Sequence, residues 1–288
     1  MEAANSPTPP TNNAKRKHFP ARLHVLLARR APYGLVLRRG PAKQVCTIGW
    51  NRAKDTFEVG QWLKATLYET KCDISPDGKH WIYFALNGRW TSKTRGSYTA
   101  IARTPWLKAV TLWPSGTTYG GGGSFDDDGG YYVTSNLEGT LFDSRELQPK
   151  EGADPYGVPR SPYEARLVRG GWTVEQREHQ RGWVSLISAT RTLAKGWRLH
   201  KFVHSEIPTE QGHKVDWEEH ALEYSASGVT VACPDWEWAD LDSGSLVWAE
   251  KGCLYRGRVV GKPGKHRLEK SLLKDFNDMK FETIVAPY

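Results

Sequence analysis

No apolar run in the chain approaches the roughly 20 residues that span a bilayer, and the first 20 residues, Met1 to Pro20, carry no apolar core followed by a cleavage site. The expectation is a cytoplasmic protein with no membrane partner. Cysteine is scarce. Cys46, Cys72, Cys233 and Cys253 never fall in a C-x-x-C pair and are too few for a disulfide framework, which fits a reducing compartment and buried thiols. Catalytic signatures are also missing: there is no G-x-S-x-G and no G-x-G-x-x-G, and the GGGGSF stretch at 120–125 lacks the lysine of a P-loop. These absences give no support to nucleophilic hydrolysis or nucleotide-dependent chemistry, so no catalytic residue and no cofactor is assigned.

What is present is a globular composition, 39% hydrophobic and 25% charged, in 288 residues, enough for one large domain or two ordinary ones. The net charge of +8 is unevenly spread. Residues 1–40 hold eight Lys or Arg against Glu2 alone, so the rest of the chain is nearly neutral. Segment 206–250 has eleven acids against Lys214, whereas 251–288 has nine bases against four acids. The first 14 residues, rich in Pro, Asn and Thr, read with their neighbours as a disordered tail over 1–20. Lys15 to His18 adds a short basic cluster, read as a solubilising leader.

From Arg22 onward, short runs rich in β-branched and aromatic residues alternate with turn residues. RLHVLLA, YGLVLRR, HWIYFAL, EARLVRGGW, GWVSLISAT and GSLVWAE are examples, with turns at Asp77-Gly78, Asn87-Gly88, Ser115-Gly116 and Ser243-Gly244. Only Val174 to Arg181 and Leu268 to Lys274 have a helical alternative. No alternation of long helices with strands suggests a parallel sheet, so the class is all-β and mainly antiparallel. The main interruption is 114–162, a Gly- and Pro-rich connection with one short hairpin around Tyr131 to Val133, within a single domain over 21–288. The Asp126 to Asp128 triplet lacks the spacing of a calcium loop and reads as a solvated turn.

Two segments share one order of features: CDISPDGKHWIYFALNG at 72–88 and WADLDSGSLVWAEKGCLYRGRV at 238–259. Their turns are separated by a distance that divides into about four steps of the roughly 40-to-50-residue period of four-stranded propeller blades. SPDGKHWIYFA resembles the repeat of the WD40-like, TolB-type β-propeller family, and DSGSLVWAEKGCLYRGRV is similar to the hairpin that follows it in degenerate copies. The resemblance implies radial sheets around a central channel and a binding scaffold, and it carries over no catalytic residue. Five or six irregular blades are expected.

The 13 tryptophans and 12 tyrosines suit wedge-shaped inter-blade cores. Trp90, Trp106, Trp217, Trp236 and Trp238 stand among polar neighbours and are the candidate binding residues, since an exposed Trp can meet a sugar face, a cation or a partner's anchor. His200, His204, Glu206, His213, Asp216 and His220 form the densest group of metal-ligand types, but His200 and His204 on a strand would stand about 13 Å apart, so a polar rim is read and no metal assigned. The acids of 206–242 could include a pair for glycoside hydrolysis. The leading expectation is a non-catalytic scaffold that binds a protein partner within a bacterial multiprotein system. The alternative is a carbohydrate-binding or glycoside-acting propeller. A third reading, polyanion or nucleic-acid binding, rests on the basic N-terminal segment and a patch shared by Arg29 to Arg39 and Lys262 to Lys280.

Overall fold

The computed structural model describes residues 20–41, 43–118, 120–134, 139–155, 162–180, 183–205 and 216–288. Residues 1–19 of the tail expected over 1–20, with the Lys15–His18 cluster, and also Glu206 and His213 lie outside the described residues.

Four antiparallel sheets form the blades of a β-propeller. Blade 1 comprises β1 (Arg22–Leu27), β2 (Tyr33–Arg39), β3 (Gln44–Asn51) and β4 (Thr56–Lys64), paired in chain order. Its middle strands are apolar on both faces because both faces are covered: Leu35, Val36 and Leu37 are all fully buried. Blade 2 is built from β5 (Thr66–Leu67), β6 (Asp73–Ile74), β7 (His80–Leu86), β8 (Ser97–Arg103) and β9 (Ala109–Pro114). A separate hairpin follows, β10 (Gly123–Phe125) with β11 (Tyr131–Val133), before β12 (Phe142–Asp143) returns to the edge of β9. Helix α1 (Pro162–Arg169) leads into blade 3: β13 (Thr173–Gln180), β14 (Trp183–Thr192), β15 (Trp197–Ser205), β16 (Asp216–Tyr224) and β17 (Val229–Ala232). Blade 4 is β18 (Trp236–Asp242), β19 (Ser245–Glu250), β20 (Cys253–Val260) and β21 (Arg267–Asp275).

Tryptophan fills the wedges between blades. Trp81 and Tyr83 stack at 4.4 Å in the core shared by blades 1 and 2. Trp236 and Trp248 stack at 5.1 Å in the core of blades 3 and 4, which also holds Trp197. Blades 4 and 1 meet through Trp50, Val247, Leu254 and Phe276. Between blades 2 and 3 the described residues form a two-stranded sheet, β10–β11, and no fifth four-stranded blade. Phe125 and Tyr131 of the β10–β11 hairpin cover blade 2, while Tyr163 and Leu167 of α1 enter the core of blades 3 and 4.

The blade count is therefore four, not the five or six expected. Blades 1 and 4 keep to the blade-length rhythm, but the chain between blades 2 and 3 spends its length on a hairpin, a returning edge strand and a helix. The hairpin around Tyr131 to Val133 is present. EARLVRGGW is not a strand, since its first half belongs to α1, which shows its apolar residues to blades 3 and 4. The two segments with a helical alternative are strands β13 and β21, where pairing with β14 and β20 overrides local preference. No helix among the described residues is long and apolar enough to cross a membrane.

The paired segments at 72–88 and 238–259 occupy equivalent places. Ser75 to Gly78 joins β6 to β7, and Ser243-Gly244 joins β18 to β19. In the first turn Gly78 sits at φ +73°, its N–H donates to the Ser75 carbonyl at 2.9 Å, and an added Cβ would meet Tyr33 at 2.9 Å. Glycine is required there by both backbone and space.

Candidate functional site

The turns that follow the innermost strands of blades 1, 2 and 4 gather on one face of the ring. Residues 28–32 follow β1, and the Arg30 N–H donates across to the Pro76 carbonyl at 2.8 Å, tying the first turn to the second. Beneath this face, between blades 1, 3 and 4 and α1, lies a cavity of about 610 Å³. Its lining holds Arg29, Arg30, Arg52, Arg166, Arg169, Arg191 and Lys201, against only two acids, Asp240 and Asp242. Guanidinium groups in excess of their carboxylate partners draw anions into a concave site.

Most of these cations are held in place by bonds that aim them. Arg52 donates to Asp242 at 2.6 Å and to the carbonyls of Ala28 and Ala31 at 2.6 and 2.5 Å, which fixes the first turn. Arg191 bonds Asp240, and Arg169 makes a two-pronged pair with Asp154 at 2.6 and 2.7 Å. Arg29 reaches the hairpin turn, donating to Asp127 at 3.1 Å and to the Phe125 carbonyl at 3.1 Å. The Asp126–Asp128 triplet thus serves as a set of carboxylate partners for Arg29, Arg169 and Lys150. Two guanidiniums differ. Arg166 donates to the carbonyls of Glu69 and Cys72 and faces His24 Nε2 at 3.0 Å; among the described residues the exposed Arg30 makes no side-chain bond, and neither arginine has a carboxylate partner.

At the floor of the cavity the axis of the ring is occupied by a buried polar hub. Glu218 of β16 accepts from Lys201 at 3.0 Å and from the Tyr163 hydroxyl at 2.6 Å, and it lies 3.5 Å from His24 Nδ1 and 3.4 Å from His220 Nε2. The Lys201 ammonium sits 4.9 Å from the Trp172 ring and 5.9 Å from that of Trp238. One carboxylate so joins blade 1, blade 3 and α1, and the lysine adds blade 4. Burial alone would raise the Glu218 carboxyl, but Lys201 and the two histidines outweigh it and hold the group well below its usual range. Burial drives His24 well below the ordinary histidine value, with Arg166 and Lys201 pushing the same way against Glu218. Burial also lowers His220. Both rings are neutral at pH 7.

A second, smaller polar cavity of about 40 Å³ lies at the other end of the same inner strands, beside Arg39, Glu69, Asp216, Trp217 and Glu237. Arg39 pairs with Glu69 there, and Thr70 donates to Asp216 at 2.9 Å.

The five candidate tryptophans do not converge. Trp90 is 55% exposed, standing over Gly96 in the β7–β8 loop. Trp106 is half-buried and its carbonyl accepts from the Trp81 indole at 2.8 Å. Trp217, also half-buried, stacks on His204 with centroids 4.6 Å apart. The expected exposure of Trp236 and Trp238 is corrected: they are 6% and 2% exposed, because a β-bulge between them in β18 sends Trp236 into the core of blades 3 and 4 and Trp238 into that of blades 4 and 1. Trp238 nevertheless lines the central cavity.

The histidines of β15 are paired rather than gathered: His200 lies 2.6 Å from Glu223 and His204 3.2 Å from Glu219, both across the ladder to β16. Among the described residues no group of three or more His, Cys, Asp or Glu side chains is placed so that it could hold a metal ion. The basic charge of 1–40 also proves to belong partly to the folded body, since Arg29 and Arg30 line the cavity and Arg38 is buried between blade 1 and the C-terminal segment. The first and last strands, β1 and β21, do not pair, so no strand ladder sets Arg29–Arg39 beside Lys262–Lys280.

Sequence reasoning missed the cavity arginines and the hub. Lys201 did leave a trace. In WRLHKFVHS the alternation that buries Trp197, Leu199 and Val203 also sends Lys201 inward, and a lysine on an apolar face needs a buried partner.

No protein-family model matches the chain, the WD40-like families included, and no curated protein matches it. Among solved structures, the chain is similar to the GH43 BlXynB protein from Bacillus licheniformis, with 10% identity and a TM-score of 0.34 over 90% of this chain and 53% of that one. It spans about half the length of that protein. The propeller arrangement stands on the strand order and inter-blade cores themselves.

Proposed function

We propose that the protein is a non-catalytic binding module built on a β-propeller, and that it holds a protein partner on the face where the central cavity opens. The observation behind this reading is the cavity lining, six arginines and a lysine against two aspartates, set between blades 1, 3 and 4 and helix α1. Such a face suits a partner that presents acidic groups. Trp90, exposed on a different loop, offers a second point of contact as an aromatic anchor.

Binding is favoured over glycoside hydrolysis by the state of the carboxylates. Hydrolysis needs one carboxyl free to protonate the leaving group and another free to act on the sugar or on water. Asp240 is bonded to Arg191, Asp242 to both Arg52 and Arg256, and Glu218 to Lys201. The aromatic faces a sugar would stack on also have cations against them, Lys201 over Trp172 and Trp238, and Arg166 over Tyr163. A glycan array and a turnover assay test this point, and specific binding or cleavage of a neutral glycan would reverse the preference.

The partner reading is tested by affinity capture from the native host, comparing the full chain with Arg30→Glu and Trp90→Ala. A protein retained by the first and lost by the charge reversal supports it. Identical capture by all three chains counts against it.

A further inference from the structure

We infer that the central cavity binds a small phosphate monoester, with the phosphate held by Arg30, Arg166 and the Trp172 indole. The inference rests on reading the cavity as a binding site and adds the chemical class of its occupant.

Three observations carry it. Of the cations that line the cavity, Arg30 and Arg166 have no carboxylate partner among the described residues, which leaves two positive charges without a bonded counter-charge. A phosphate monoester carries about −1.5 to −2 at neutral pH and offers three acceptor oxygens, so it matches two guanidiniums where a monocarboxylate would leave one charge over. Second, two buried N–H groups in the lining, Trp172 Nε1 and Arg52 Nε, have no acceptor among the described residues. Buried donors without acceptors are costly, about 1 to 3 kcal/mol each, and an oxyanion supplies acceptors for such donors. Third, about 610 Å³ is far more than one phosphate fills and lies within the roughly 300–1,000 Å³ of sites that enclose a whole small molecule. The same chemistry is presented by a sugar phosphate and by a nucleoside monophosphate.

Calorimetric titration of the full chain with glucose 6-phosphate, AMP, inorganic phosphate, glucose, adenosine and succinate tests the assignment. At least one phosphate ester is expected to bind 10-fold or more tightly than its unphosphorylated counterpart and than succinate, with affinity falling as salt rises. The relative affinities of AMP and glucose 6-phosphate then distinguish the two sources. Arg30→Gln, at an exposed position that leaves the fold intact, should weaken that binding about 10-fold, and Trp172→Phe, which keeps the ring and removes the donor, a few-fold. Equal binding of phosphorylated and unphosphorylated compounds would overturn the phosphate while leaving the cavity a binding site. Binding untouched by either variant would overturn the location. If no compound binds while protein capture still depends on Arg30, the inference falls and the partner reading stands; if both fail, both fall.

Discussion

Arg38 and Phe276 join the two ends of the ring. The Arg38 Nε–H donates to the Phe276 carbonyl at 3.1 Å, from the second strand of blade 1 to the first residue beyond blade 4, and the Phe276 ring is fully buried between these blades. The segment that follows continues as a strap. Asn277 Oδ1 accepts from the Ala21 N–H at 2.8 Å, the Ile284 carbonyl accepts from Gln61 at 2.8 Å, and the Tyr288 ring lies between Arg103 and Lys108 of blade 2. Closure is thus achieved by a tail laid over blades 1 and 2.

Phe276→Ala should therefore destabilise the whole domain, by about 3–5 kcal/mol for an aromatic removed from a packed core. Removing residues 276–288 should cost at least as much. Chemical denaturation followed by tryptophan fluorescence measures both, and a loss below about 1 kcal/mol for Phe276→Ala would show that the strap is not what closes the ring.

The Lys201–Glu218 pair should behave as a buried couple. Lys201→Met or Glu218→Leu alone strands the other partner and should cost roughly 3–5 kcal/mol, while the two changes together should recover a large part of that loss. Additive losses in the double-mutant cycle would contradict the hub described above.

Stability should fall on mild acidification. His24, His220 and Glu218 all have folded-state values below their ordinary ones, so the unfolded chain binds more protons between the two. The histidine contribution is complete above about 6.5 and is lost as pH drops from there through the folded values; Glu218 adds a further loss below 4.5. Asp73, raised by burial, acts in the opposite sense above 3.8. Urea midpoints should decline from pH 7.5 to 5, and His24→Gln should flatten that limb. An unchanged midpoint across this range would refute the assignment.

Thiol reagents should find little to attack in the native protein. Burial pushes Cys46, Cys72 and Cys233 up to about 12, and Cys253, half-buried, is raised less. Titration with a chromogenic disulfide at pH 8 should label Cys253 first and the other three only with unfolding. Rapid native labelling of Cys72 would place it elsewhere than in the core of blades 1 and 2.

The all-β class was legible because strand identity is local: the alternation of HWIYFAL and the turn at Asp77-Gly78 report on burial and backbone within a few residues. The equivalence of 72–88 with 238–259 was legible for the same reason, and it identified the inner-strand turns. Trp236 and Trp238 mark where that reading stopped, since their polar neighbours on β18 suggested exposure although the strand's inward residues are clamped between blades.

The amino-acid order alone settles that this chain makes short antiparallel strands cemented by tryptophan, because those preferences act between near neighbours. The number of blades, the strap beyond Phe276 and the meeting of Arg30, Arg52, Arg166, Arg191 and Lys201 around one cavity were decided only when the ring closed. These residues are far apart along the chain. Radial packing places the inner edge of every blade near the same axis, and no local pattern encodes which charges will face one another there.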